Sequence, residues 1–178
     1  MTSGRASTLS WLTRRAGTWM KRASPRRKFS QTSPLPDVLV ADANVLLSAI
    51  IGGRASVALA DSRLPRVVAP TEVGNEILEH LPAIARKRRL ELGIVLPVLA
   101  ALPIEWFESA GYTDHEAEAR RRMTGRDEDD WPLVALALSV QASTSVCIWT
   151  QDRDLEVSGI RLLTTGALLD ALREMEVP

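Results

Sequence analysis

Four carboxylates, each beside an apolar segment, are the residues of this sequence that could do chemistry together. Asp42 ends the apolar run Val38-Leu39-Val40-Ala41 and is followed at once by Ala43-Asn44-Val45-Leu46-Leu47. Asp152 follows a second such run, Ser145-Val146-Cys147-Ile148-Trp149, after Thr150 and Gln151. Asp130 stands just before Trp131-Pro132 and the apolar stretch Leu133–Gln141, and Glu76 lies in Thr71-Glu72-Val73-Gly74-Asn75-Glu76-Ile77. Each acid has an ordinary structural explanation. Asp42 could cap a helix, Glu76 could be a helix-surface residue, and Asp127, Glu128, Asp129 and Asp130 could serve loop solubility. Asp152 and Asp154 could form an Asx-type turn. Four acids at one place are harder to explain, because two carboxylates ~5 Å apart repel by roughly 3 kcal/mol at an effective dielectric of ~20. A hard divalent cation with oxygen ligands, Mg²⁺ or Mn²⁺, resolves that conflict. Such ions lower the pKa of a bound water and neutralise charge on a scissile phosphate, so the expected chemistry is phosphodiester hydrolysis.

The elements that position these acids alternate. Val38–Ala41 and Ser145–Trp149 read as fully buried strands, and Arg66–Ala69, Pro103–Phe107 and Arg161–Leu163 as further short ones. Helices are expected over Asn44–Ile51, Ala55–Asp61, a segment opened by Thr71 as N-cap and stopped near Pro82, two pieces within 83–102, Asp114–Met123 capped by Thr113, Leu133–Gln141 and Thr165–Met175. Strands separated by helices imply an α/β fold, a three-layer α/β/α sandwich around a mostly parallel sheet. Asp42 and Asp152 then lie at the carboxyl edge of that sheet, where such folds gather ligands. Asp130 begins the helix that runs antiparallel to its strand, so it reaches the same edge. Glu76 leans back over it from the helix after Arg66–Ala69.

The formal charge of zero conceals a division. Residues 1–36 hold Arg5, Arg14, Arg15, Lys21, Arg22, Arg26, Arg27 and Lys28 and no acid. Removing these eight from the 22 basic residues leaves 14 against 22 acidic ones, about −8 for residues 37–178. A basic N-terminal extension, expected to be disordered from its Ser, Thr, Arg and Pro content, therefore precedes an acidic domain over 37–178. Within the extension Leu9, Leu12, Ala16, Trp19 and Met20 share one face at helical spacing. An organelle presequence, a membrane-surface helix and an RNA-binding arm are all compatible with it. Arg86, Lys87, Arg88 and Arg89 form a second basic cluster, which reads as a solvated face or as a phosphate contact. Cys147 is the only cysteine, which excludes an intrachain disulfide and a multi-thiolate zinc site and fits a reducing cytoplasm. No stretch has the ~18–20 apolar residues of a transmembrane span.

In order, spacing and context these motifs resemble the PIN domain, over about residues 37–172. Asp42 with Asn44, Glu76, Asp130 before its Ala-rich helix, and Trp149-Thr150-Gln151-Asp152-Arg153-Asp154 match the four acidic positions of that family in turn. Asp127 and Asp129 compete for the third position, and register against the apolar helix selects Asp130. The resemblance implies a Mg²⁺-dependent ribonuclease in which Asp42, Glu76, Asp130 and Asp152 are catalytic and hold the metal. Asn44 and Thr150 would orient the site, with Asp154 as an outer ligand. Bacterial PIN domains are commonly VapC-like toxins, so the resemblance also implies an RNA substrate, a small antitoxin partner and a homodimer.

Other readings fit less well. A haloacid-dehalogenase-like phosphatase needs a second Asp at position 44, which is Asn, and a later Lys, but none follows Lys87. A response-regulator receiver places its acids in a different order. A degenerate PIN-like domain that binds RNA or a protein partner without cutting is the non-enzymatic alternative, and the presence of all four acids counts against it.

Overall fold

The computed structural model describes residues 35–125 and 128–175. Val38–Ala41 (β1) is buried at every position, and Leu39, Val40 and Ala41 are wholly inaccessible. A strand of this kind needs partners on both edges and cover on both faces, and β1 has both. It pairs in parallel with Arg66–Pro70 (β2) on one side and Val146–Trp149 (β4) on the other. Ile104–Phe107 (β3) adds to β2, and Leu162–Leu163 (β5) adds to β4, giving the order β3-β2-β1-β4-β5 with all pairs parallel. The strand order grows one way through β3 and then returns past β1. Right-handed crossovers therefore place the intervening helices on opposite faces.

One layer holds Ala43–Ile50 (α1), Arg54–Leu59 (α2), Thr71–Arg88 (α3), Leu92–Ala101 (α4) and the closing Thr165–Glu174 (α7). In it α1 packs on α2 and α3, and α7 on α2. The other layer holds Glu116–Met123 (α5) and Trp131–Gln141 (α6). Residues 132–137 of α6 are all buried, because the helix lies across β1, β2 and β4 while α5 covers its outer side. This is the expected three-layer α/β/α sandwich. Gly74 sits in α3 because a Cβ there would stand 3.1 Å from the ring of Trp106 on β3. Cys147 is buried in the sheet, and burial pushes its thiol up, away from the reactive thiolate.

Several local expectations are corrected. The helix opened by Thr71 does not stop at Pro82 but runs on to Arg88. Proline removes one backbone donor there, yet Leu81 and Ala85, both wholly buried, anchor the helix on either side of it. Termination comes at Arg89, in the left-handed region at φ 59°, with the Leu90 amide donating to the Ala85 carbonyl at 2.8 Å. The break within 83–102 therefore falls at Arg89–Glu91, and α4 continues through Gly93 and Pro97.

Neither threonine acts as the expected cap. Pro70 precedes α3, and the Thr71 hydroxyl faces the Glu72 carboxylate at 3.3 Å. The Thr113 hydroxyl donates to the Ser109 carbonyl at 2.6 Å, residues 113–115 form a 3₁₀ turn, and the α-helix starts at Glu116.

Because Pro82 is exposed and costs α3 a backbone hydrogen bond, Pro82→Ala is expected to stabilise the protein by about 1–3 kcal/mol. Urea unfolding of the two proteins checks this, and an unchanged or lower midpoint would contradict it.

Candidate active site

Asp42 is the first residue beyond β1, and its amide donates to the Trp149 carbonyl at 3.1 Å, which ties it to the end of β4. The residue is buried in consequence, only 8% exposed. The carboxylate makes no geometrically good N-capping hydrogen bond to α1, although the Ala43 and Asn44 amides at the start of that helix lie beside it. Instead the buried Thr150 hydroxyl donates to Asp42 Oδ2 at 2.6 Å. Burial pushes the Asp42 carboxyl above the usual range. The Thr150 hydroxyl, the Ala43 and Asn44 amides and the Asn44 side chain oppose that shift without cancelling it. Asn44 itself is exposed.

Asp42 opens into a cleft of about 380 Å³. Its walls come from three segments: Asp42 itself, then Glu72, Val73, Glu76 and His80 of α3, and Asp129, Asp130, Pro132 and Leu133 at the start of α6. Glu72, Glu76 and His80 are spaced four residues apart, so one face of α3 presents all three. Asp129 and Asp130 close a 3₁₀ turn that leads into α6, and Asp130 is the less exposed of the two. Asp127 lies outside the described residues.

The structure thus brings Asp42, Glu76 and Asp130 to one cleft at the carboxyl edge of the sheet. Asp152 is not among the residues that line it. The Asp152 amide donates to Thr150 Oγ1 at 2.9 Å, so it reaches Asp42 through the threonine. Asp154 is exposed and its amide donates to Asp152 Oδ1 at 2.8 Å, the Asx-type turn that the spacing allowed. The end of β4 is held further by Thr165, which accepts from Trp149 Nε1 at 3.1 Å and from Gln151 Nε2 at 3.0 Å.

Two further residues, Glu72 and His80, line the cleft beside the acids that the sequence motifs indicate. The signal for both was their position four residues on either side of Glu76. Glu72 accepts a short hydrogen bond from the hydroxyl of Tyr112, a ring that is only 1% exposed. Burial and the Glu72 charge both push the Tyr112 phenol far above its usual range, so it acts only as a donor. Tyr112 packs against Trp131 at 6.1 Å and 57°, and the Arg120 guanidinium lies 4.6 Å over Trp131.

The donor set is carboxylate oxygen with one imidazole, which matches a hard divalent cation. Among the described residues no three His, Cys, Asp or Glu side chains converge closely enough to hold an ion as they stand. The carboxylates line the cleft without being drawn to a common point. A family model described as PIN domain matches residues 40–175, most of the chain. Comparison with curated proteins gave no match.

The raised Asp42 pKa has a consequence for stability. The folded-state value lies above the unfolded one, so its contribution is fully present below the unfolded pKa and is lost as pH rises through the folded one. In cation-free buffer at neutral pH, Asp42→Asn is therefore expected to stabilise the protein, by removing a buried charge. The gain should vanish below about pH 4, where the carboxyl is protonated in both states. Thermal melts across pH test this, and a variant less stable than the native protein at pH 7 would contradict it.

Proposed function

The chain belongs to the PIN-domain family, whose members are generally nucleases, and we propose that it is a metal-dependent endoribonuclease. The observation that carries this reading is the buried Asp42 carboxylate opening into a cleft also lined by Glu76 and Asp130. A cleft so acidic repels a phosphodiester unless a cation intervenes. Asp42, Glu76 and Asp130 would hold Mg²⁺ or Mn²⁺ there. When bound, such an ion supplies Lewis-acid stabilisation of the charge on the phosphate.

The chain's own groups set the conditions for that chemistry. Thr150 fixes the Asp42 carboxylate in one orientation, and Asn44 adds a second polar contact beside it. The Tyr112 hydroxyl holds Glu72 and so fixes the wall of α3 next to Glu76. Asp152 orients Thr150 through its backbone, and Asp154 closes the turn that holds Asp152. Residues 37–178 are the nuclease domain in this reading, acting in the cytoplasm, and 1–36 a basic extension to it. Resemblance to bacterial toxins of the same family extends the proposal to a small antitoxin partner and a homodimer, both open to test by co-purification and by light scattering.

Incubating closed circular RNA with the full chain and Mg²⁺ tests the reading, since only internal cleavage can open a circle. Asp42→Asn and Asp130→Asn are each expected to lower the rate on the order of a hundredfold or more. Asp152→Asn keeps the amide that bonds Thr150 and is expected to lose only about tenfold. EDTA should abolish cleavage. Equal rates in native protein and both cleft variants would overturn the assignment. RNA retention without cleavage in any of them would identify a binding module instead.

A further inference from the structure

Residues 92–104 carry no charged or polar side chain, yet α4, which lies within them, buries only Val95 and Leu99. Leu90, Leu92, Ile94 and Leu96 are exposed, Ile94 at 63%. Beside them Arg86, Lys87, Arg88 and Arg89 are exposed as well. None of these four is ion-paired among the described residues. An eighteen-residue α3 is ~27 Å long, whereas the five residues of β2 span ~16 Å. The helix that leaves the carboxyl edge with Glu72 and Glu76 therefore overshoots the amino edge by ~10 Å before α4 turns back. The α3–α4 tip is cationic and aliphatic and lies at the end of α3 away from the acidic cleft.

A second feature points the same way. Residues 1–34, with eight basic side chains and no acid, join the described domain at Leu35. The amides of Asp37 and Val38 then donate to Ser145 at the amino edge of the sheet. The point where the basic segment joins the domain and the basic tip thus lie at the same end of the described domain.

We propose that the α3–α4 tip docks on an anionic membrane surface. Such a surface accepts both of its components at once, aliphatic side chains entering the acyl boundary and Arg and Lys meeting anionic headgroups. RNA would use the cations but leaves the aliphatics unexplained, since nucleobases stack on aromatic rings. A two-fold contact between copies through this tip would bring the two Arg86–Arg89 clusters together. A tip that projects past the sheet edge meets a plane more readily than a peptide that needs a groove. Stable attachment generally needs two signals, and the eight basic side chains of the segment that joins the domain at this edge supply a second by their charge. The acidic cleft then faces away from the headgroups. No helix among the described residues is long and apolar enough to cross a membrane, so the contact is with its surface.

The test is sedimentation of the full chain with vesicles of phosphatidylglycerol and phosphatidylcholine in equal parts, and with phosphatidylcholine alone. Binding is expected to the anionic vesicles only and to weaken as salt is raised. Arg86→Gln with Arg88→Gln, and separately Ile94→Ser with Leu96→Ser, should each weaken it about tenfold, with unfolding midpoints unchanged because all four residues are exposed. Failure to sediment would overturn the proposal, as would binding by both variants equal to that of the native chain, which would assign attachment to residues 1–34 alone. A lipid-free dimer abolished by the Ile94 and Leu96 changes, without vesicle binding, would overturn it in favour of a self-contact. Binding to single-stranded RNA lost only with the Arg86 and Arg88 changes, without vesicle binding, would overturn it in favour of RNA.

Discussion

The hydrogen bond from Thr150 to Asp42 joins the two central strands at the point where burial is most costly for a charge. Asp42 follows a strand with no exposed residue, and the carboxylate is held up in pKa because water is largely kept from it. Sheet pairing delivers the threonine to it, since β1 and β4 run parallel and in register from Val38 and Val146 onward. Among the described residues no buried side-chain nitrogen or oxygen lacks a hydrogen-bond partner. An acid this deep is stabilised by one hydroxyl and by polar groups of Asn44, and a cation is the remaining way to balance its charge.

The helix α3 transmits that constraint across the molecule. Its first turns set Glu72, Glu76 and His80 along the cleft, and its last turn carries the basic cluster at the other end. Burial of Val73, Gly74, Ile77, Leu81 and Ala85 along its length keeps it continuous despite Pro82. One rigid element thus separates opposite charges by most of a domain's width, and the two ends can meet chemically different partners.

On the far wall, Tyr112, Trp131 and Arg120 form a stack behind the acids. Tyr112 reaches Glu72 from the segment that precedes α5, while Trp131 immediately follows Asp130. The contact between the two rings therefore couples the acids of α3 to those before α6. The Arg120 guanidinium, paired with Glu116 at 2.8 Å, covers the tryptophan. A set of like charges gathered on separate segments needs such packing, because their repulsion would otherwise spread the walls.

What the sequence determined by itself was whatever depends on short-range pattern. The uninterrupted apolar runs Val38–Ala41 and Val146–Trp149 can only be strands covered on both faces, and that implied the parallel sheet and the edge where Asp42 lies. The apolar helix after Asp130 was legible for the same reason. Element ends were less so: Pro82 is a strong stop by local preference, but the contacts of Leu81 and Ala85 outweigh it, and those contacts do not exist until the layers form. Tertiary structure alone decided which acids share a wall. Glu72 and His80 enter the cleft because α3 lies with that face toward Asp42. Asp152 meets Thr150 through its backbone amide, while its carboxylate accepts from the Asp154 amide. Sequence spacing fixes the edge a residue reaches; the orientation of its side chain there is set by packing between segments that are distant in the chain.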